Sequence, residues 1–541
     1  MISFDHTFAP EKWSMATAFT AIILSYFMYL IGVAIHRLYF SQYAKFPGPK
    51  LAALTYGYMF YYDAIAGEGQ YMYKIKDLHE EYDSPIIRIS PHELHIIDPD
   101  FYELLFTGAN SKRDKPPTWS HAFSNVDSAF GTISHEKHRV RRSAISPFFS
   151  SSSLRKLEPL IQENIDRLIT VFRRYQSTGE PIPLRPAFGA LTSDIIAEYC
   201  FGVSENYVEA PGFNVMVLET TDVLTDTMHI TVQLQWLPTL LNSLPDAIVV
   251  GMFGPGMGKV LELKRHCIQK IKETVKSRGD YRDVKHRTIF HDLMDSPTLP
   301  EEDKSVDRLW QEAQLFLAAG TVTTATSISA ALVYLLLNKS RLQVLLEELE
   351  TAVPNIASPP KQSELEGLPY LHAVVQETLR LVSGVSYRLT RSSPTETLHL
   401  GKWSIPPNTA MSMHGPLIHH SEMVYPEPMS FIPERWLASP STPGLPERPE
   451  GIPRASQKYL VPFSKGTRNC VGQPMAYFEL FMTLANVLRT FARLERDDLG
   501  TIVGVSGMKL YETDRRDVDM KRDFGFPSPE KGRGNMRILL E

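Results

Sequence analysis

Cys470 stands in Phe463-Ser464-Lys465-Gly466-Thr467-Arg468-Asn469-Cys470-Val471-Gly472, and the residues spaced around it define what its thiol can do. Gly466 and Gly472 permit backbone angles and close approaches that a Cβ forbids, so a flat ligand can lie directly against this loop. Arg468, two residues before the thiol, can neutralise an anionic group on that ligand. The apolar helical pattern from Pro474 to Met482 turns a positive dipole end toward Cys470 and favours thiolate there. A merely structural cysteine in a turn would leave the paired glycines and Arg468 unexplained.

A second reactive group falls in Leu309 to Leu337, a long, mostly apolar helical run with Ala318-Ala319-Gly320-Thr321 in its middle. Phe316, Ala319, Gly320, Thr323 and Thr324 fall at helical spacings on roughly one face, so a planar ligand can approach the small residues and meet the Thr323 hydroxyl. The run from His138 to Arg142 offers cations at helical spacing. It is either an anion-binding face or a solvated basic face that helps to dock an acidic redox partner.

The order Phe-x-x-Gly-x-Arg-x-Cys-x-Gly, met at Phe463, Gly466, Arg468, Cys470 and Gly472, resembles the haem-binding loop of the cytochrome P450 family. The resemblance implies a mainly α fold with small β-sheets. It also implies haem b (iron protoporphyrin IX) held between the loop and a distal helix, with Cys470 as the metal ligand. Phe463, Gly466, Gly472, Ala319 and Gly320 are then expected around the cofactor, and Arg468, Arg391, Arg142 and His138 on its propionates. Thr323 would hold the distal oxygen, and Phe316, Thr324, Val385 and Ser386 would line the substrate pocket. Glu377-Thr378-Leu379-Arg380 matches the family's Glu-x-x-Arg, and Arg435 falls in its Pro-Glu-Arg motif. Those three charges can be buried because they satisfy one another, fixing the backbone behind the thiolate with no part in chemistry.

The chain departs from the family pattern where His138 replaces the usual Trp, four residues before Arg142. It departs again at Val322, where an acid usually precedes the threonine. Proton delivery must then use Thr323, Thr321, water or a substrate hydroxyl. One extra residue separates Arg380 from Arg391, so Arg388 is an alternative to Arg391 as a propionate ligand. The implied activity is insertion of one oxygen atom from O₂ into an apolar small molecule, with electrons from NADPH-cytochrome P450 reductase. Phe46-Pro47-Gly48-Pro49-Lys50-Leu51 and Ser146-Pro147-Phe148-Phe149-Ser150 are similar to fungal members of secondary metabolism such as trichothecene-pathway oxygenases, which suggests a terpenoid or polyketide substrate. The missing acid motivates one rival, a haem-thiolate isomerase or dehydratase that needs no reductase electrons. A non-catalytic haem sensor or carrier is another.

These side chains need a scaffold and an address. At 541 residues with 43% hydrophobic and 22% charged content, the chain can bury one large catalytic core. A formal net charge of -5 argues against a nucleic-acid partner, which needs a basic excess. Three scattered cysteines fit neither a disulfide framework nor a zinc site and suit a reducing compartment. Ser14 to Ile35 is uncharged and long enough to cross a bilayer as a single-pass anchor; a cleaved signal peptide is the competing reading. The positive residues that follow place the catalytic body in the cytosol, at the endoplasmic reticulum by the resemblance. The expected division is a lumenal terminus at 1–13, an anchor at 14–35, a proline-stiffened linker at 36–50 and a catalytic domain at 51–541.

Short strands are expected at Ile86 to Ile89 and Leu94 to Ile97, and amphipathic helices at Leu154 to Tyr175 and Gly189 to Phe201. Val215 to Phe253 could roof the pocket, touch the bilayer or pack in the core. Gly251 to Gly258 reads as a loop, Arg278 to Arg287 as a solvated connection and Ser439 to Ser456 as a surface loop.

Overall fold

The computed structural model describes residues 15–108, 111–120, 125–234, 236–277, 288–355, 358–438 and 445–541. Its helices include α1 (Met15–Ile35), α2 (Lys50–Leu54), α3 (Tyr71–Glu81), α4 (His135–Ile145), α5 (Ser151–Thr178), α6 (Leu184–Phe201), α7 (Met216–Thr231), α8 (Pro255–Lys276), α9 (Val306–Leu337), α10 (Pro369–Val382) and α11 (Gln473–Phe491), with further helices, among them Asp246–Phe253 and Lys339–Ala352, between them. A four-stranded sheet joins β1 (Ile86–Ser90), β2 (Glu93–Ile96), β3 (Leu389–Arg391) and β4 (Ala410–Met413) in the order β1-β2-β4-β3. β2 and β4 run parallel with Glu93 opposite Ala410, and β3 returns antiparallel with Leu389 opposite Met413. A small hairpin, β5 (Arg522–Asp523) and β6 (Pro527–Ser528), lies near the C-terminus.

The helices form where caps and apolar stripes agree. The Ser150 hydroxyl accepts from Ser153 N–H to start α5, left-handed Gly179 ends it, and Leu154, Leu157, Ile161, Ile165, Leu168 and Phe172 form its buried stripe. α9 is apolar nearly all round because it runs through the core, packed along α6 and against α10 and α11. The segment 251–258 is helical on both sides of Gly254, not a loop. Gly254, at φ +83°, ends one helix and Pro255 begins α8, so one flexible residue absorbs the turn that the glycine content suggested would need eight. Arg278 to Arg287, residues 439–444 and residues 1–13 lie outside the described residues.

Thr17–Phe40 is long and apolar enough to cross a membrane, and none of it is buried against the fold. The proline-stiffened linker that follows does not stand clear of the fold. It winds a π-helical turn over His36–Phe40, then buries Tyr43 and Phe46 against the four-stranded sheet, because those two rings find more apolar area there than in water.

Candidate active site

The cysteine loop is closed by its own backbone. Cys470 N–H donates to Phe463 O at 2.9 Å, and Asn469 N–H donates to Gly466 O at 3.2 Å across the 3-10 turn Gly466–Arg468. Gly466 has φ +73°, and a Cβ there would overlap the carbonyl oxygens of Phe106 and Thr107. Gly472 has φ −81°, which any residue adopts; its lack of a side chain only leaves room beside the sulfur. Burial pushes the Cys470 thiol up, outweighing the Gly472 and Gln473 N–H groups aimed at it and the charge of Arg142. The protein therefore presents a thiol, where the helix dipole alone predicts a thiolate, and a coordinated metal ion would strip its proton. Packed among protein atoms on the loop side, Cys470 still keeps accessible surface, so the residue borders open space.

Cations crowd the rim of that space. Burial, then the charges of Arg468, Lys115, Arg142 and Arg391, hold His138 down at about 2, leaving a neutral imidazole. Lys115, which the sequence reading missed, is buried with its ammonium on Phe130 O; burial, Arg391 and Arg468 drive it well below the usual lysine range. Its only sequence signal is the charged run from Lys112 to Lys115, which looks like surface. Arg468 donates to Thr132 O and Ile133 O, each at 2.7 Å, while its buried Nε has no partner among the described residues. Arg391, 3% exposed, makes one side-chain hydrogen bond among the described residues, to Thr390 O at 2.8 Å. Guanidinium groups keep their protons in proteins, so this crowding calls for a counter-anion, and the residues fit a dianionic planar cofactor.

Two arginines are otherwise engaged. Arg388 donates to Glu93 at 2.8 Å, leaving Arg391 as the arginine that joins the cationic rim. Arg142, expected on a propionate, instead bonds Asn469 O at 2.8 Å, Asn469 Oδ1 at 3.0 Å and Ser146 Oγ at 3.1 Å, because its helix faces the cysteine loop. The cationic run of α4 thus divides by face. His138 and Arg141 are buried, Arg142 clamps the loop, and Lys137 and Arg139 face solvent.

The segment 125–133 is stitched down on all sides. Arg141 bonds Asp127 O at 2.7 Å and Thr132 Oγ1 at 2.8 Å while its other donors take Asp303. Ala129 N–H reaches Glu312 of α9 at 3.0 Å, and Arg468 holds the far end.

In mid-α9, Ala319 is exposed and Leu315 and Thr323 are half-buried, while Thr321 and Val322 are covered. The face carrying Leu315, Ala319 and Thr323 therefore looks onto a cavity. Thr323 Oγ1 donates to Ala319 O at 2.8 Å, leaving its lone pairs free. Gly320, Phe316 and Thr324 do not share this face, since only every third or fourth residue of a helix can. Gly320 lets α6 approach, where a Cβ would come within 3.1 Å of Ile196. Phe316 packs edge-on to Phe149 at 5.9 Å, and Thr324 meets the buried Glu479 of α11. Ser386 is also turned away, fully buried and donating to Asp523 at 2.7 Å, whereas Val385, which like Ser386 precedes the strand rather than lying in it, and Leu389 at the start of β3 are half-exposed. A small cluster of Met228, Val232 and Tyr387, with Phe130 and Leu389 packed on it, adds an apolar wall.

Behind the loop, Glu377 accepts from Arg380 at 2.8 and 2.9 Å, Arg435 at 3.1 Å, Trp436 Nε1 at 2.8 Å and Ile432 N–H at 2.9 Å, all in the fully buried interior.

Residues 47–502 match the family model described as Cytochrome P450. The chain belongs to the cytochrome P450 family and is a haem-thiolate monooxygenase whose cofactor is haem b. It is 39% identical over 520 residues to the cytochrome P450 monooxygenase tpcC of Cochliobolus heterostrophus, covering 94% of each chain. It is 37% identical to the cytochrome P450 monooxygenase MO6277 of Ascocoryne sarcoides, over 95% of this chain and 97% of that one. The tryptophan 6-hydroxylase fscE of Fusarium equiseti is 34% identical over 96% of both.

Proposed function

We propose that this enzyme is a single-pass protein of the endoplasmic reticulum, its catalytic domain in the cytosol, which takes electrons from NADPH-cytochrome P450 reductase. With them it inserts one oxygen atom from O₂ into an apolar intermediate of secondary metabolism, a terpenoid or polyketide. What carries the reading is a set of placements: an exposed Cys470 beside a rim of arginines that form no ion pair among the described residues, and an open Ala319 and Thr323 face on α9. Haem b at Cys470 supplies dioxygen activation, helped by electron density from the sulfur.

The protein's own residues do the rest. Arg468, Arg391, His138 and Lys115 would hold the propionates, and the loop of Phe463, Gly466 and Gly472 would present Cys470 to the ring. Arg142 keeps Asn469, and with it Cys470, in register. Thr323 sets a hydroxyl on the open face, so it would receive and pass protons there; Val322 cannot. Val385, Leu389, Met228, Val232, Tyr387 and Phe130 present carbon, which favours an apolar substrate. Exposed Trp236, Ile248, Met252 and Phe253 would meet the bilayer, and Lys137 and Arg139 an acidic electron donor.

Cys470→Ala is expected to lose the thiolate-type absorption of the reduced, carbon-monoxide-bound protein. An unchanged spectrum would refute the ligand assignment. The covered, apolar Val322 favours a second reading, an isomerase or dehydratase. Turnover that persists without NADPH and O₂ selects it, and strict dependence on both removes it.

A further inference from the structure

Arg88 is 2% exposed on β1, yet every hydrogen bond it makes among the described residues goes to a backbone carbonyl. Nη1 donates to Arg37 O at 2.6 Å, just past the end of α1; Nη2 donates to Pro91 O at 2.9 Å and Ala53 O at 3.4 Å; Nε donates to Ser90 O at 3.4 Å. The Arg37 guanidinium returns the bond, donating to Leu54 O at the end of α2 at 2.6 Å, and Ser41 Oγ adds a second donor to Arg37 O at 3.1 Å. Arg88 N–H also takes Pro47 O at 2.7 Å, and Gly48 is glycine because a Cβ there would overlap Arg88 O. A buried charge is costly unless its hydrogen bonds are made, and here they are made to a carbonyl just past the apolar helix and to two segments of the catalytic body, at Ala53 and at Ser90-Pro91. A cation at a helix C-terminus is also favoured by the helix dipole.

We infer that Arg88 is a rivet that fixes the direction of the membrane helix relative to the catalytic body, so that the enzyme stands on the bilayer at one set tilt. This rests on the anchor reading above. The tilt has a use. Tyr39, Phe40, Leu51, Tyr61 and Ile65 are all half or more exposed beside the rivet, and a fixed helix holds them toward the lipid together. A freely hinged linker would let them roll away.

The test uses the full-length, haem-loaded protein in oriented phosphatidylcholine bilayers. Polarised absorption of the haem then reports the tilt of the cofactor plane and its spread. Wild type is expected to give one narrow tilt. Arg88→Lys keeps the charge but not the planar fork, so it should broaden that distribution and speed tryptic cleavage after Lys45 and Lys50 in vesicles about tenfold. The reduced carbon-monoxide spectrum should not change. Should Arg88→Lys fail to accumulate, Ser41→Ala removes only the second donor to Arg37 O and should shift both readouts the same way by less. Equal spread and equal cleavage in wild type and variant overturn the rivet. Release of the full chain by alkaline carbonate overturns the anchor reading instead.

Discussion

Val322 poses the sharpest question at the level of single side chains, because a covered valine stands where a proton donor would be useful. Positioned acids and bases contribute roughly 10²- to 10⁴-fold to proton transfer. Val322→Asp should therefore lower the hydrogen peroxide released per NADPH consumed, even if the carboxylate is imperfectly aimed. Peroxide release that stays the same means Thr323 already suffices. Cys470, Arg468 and Gly466 were legible in the sequence because motif spacing fixes them within one turn of chain. Lys115 was not, since its burial depends on Phe130 and Arg391, residues 15 and 276 positions away in number, which no local pattern relates to it. Helical spacing also placed too much on one side of α9: Phe316, Gly320 and Thr324 fit a face on paper, but the packing of α6 and α11 decides which side is open.

Among the elements, α10 and the turn carrying Arg435 act as one piece because Glu377 satisfies both arginines. Glu377→Gln would leave two buried guanidinium groups short of their counter-charge, and removing one partner of such a network costs about 3–5 kcal/mol. That loss should appear as a lower denaturant midpoint together with conversion of the carbon-monoxide complex to a form lacking thiolate ligation. A conserved midpoint would mean that the backbone carbonyls of His419 and Pro428, which also receive Arg380, carry the load. β1, β2, α5, α6 and α9 could be placed from hydrophobic period, whereas β3 and β4, the other half of the sheet, could not. The π turn after α1 and the helices flanking Gly254 could not, because tertiary contacts override what proline and glycine content suggest.

Across the whole molecule, histidines set the acid limit. Burial holds His79 and His420 down at about 4, and pushes His95 and His419 well down too, all against an ordinary value near 6.5. Below about pH 6.5 the unfolded chain takes up protons that the folded one refuses, so stability falls as pH falls and is retained at neutral pH. His79 alone should cost about 2 kcal/mol at pH 5. Thermal unfolding followed from pH 7.5 to 5 should show a steep drop in midpoint, and a flat profile would mean that these side chains are protonated in the folded state. The stitched segment 125–133 has a consequence for biogenesis. With Arg141, Glu312 and Arg468 each gripping it, a rigid disc cannot slip in once those knots are tied. Loading then belongs to a chain still assembling, and cells starved of porphyrin should accumulate protein that later supplementation cannot rescue.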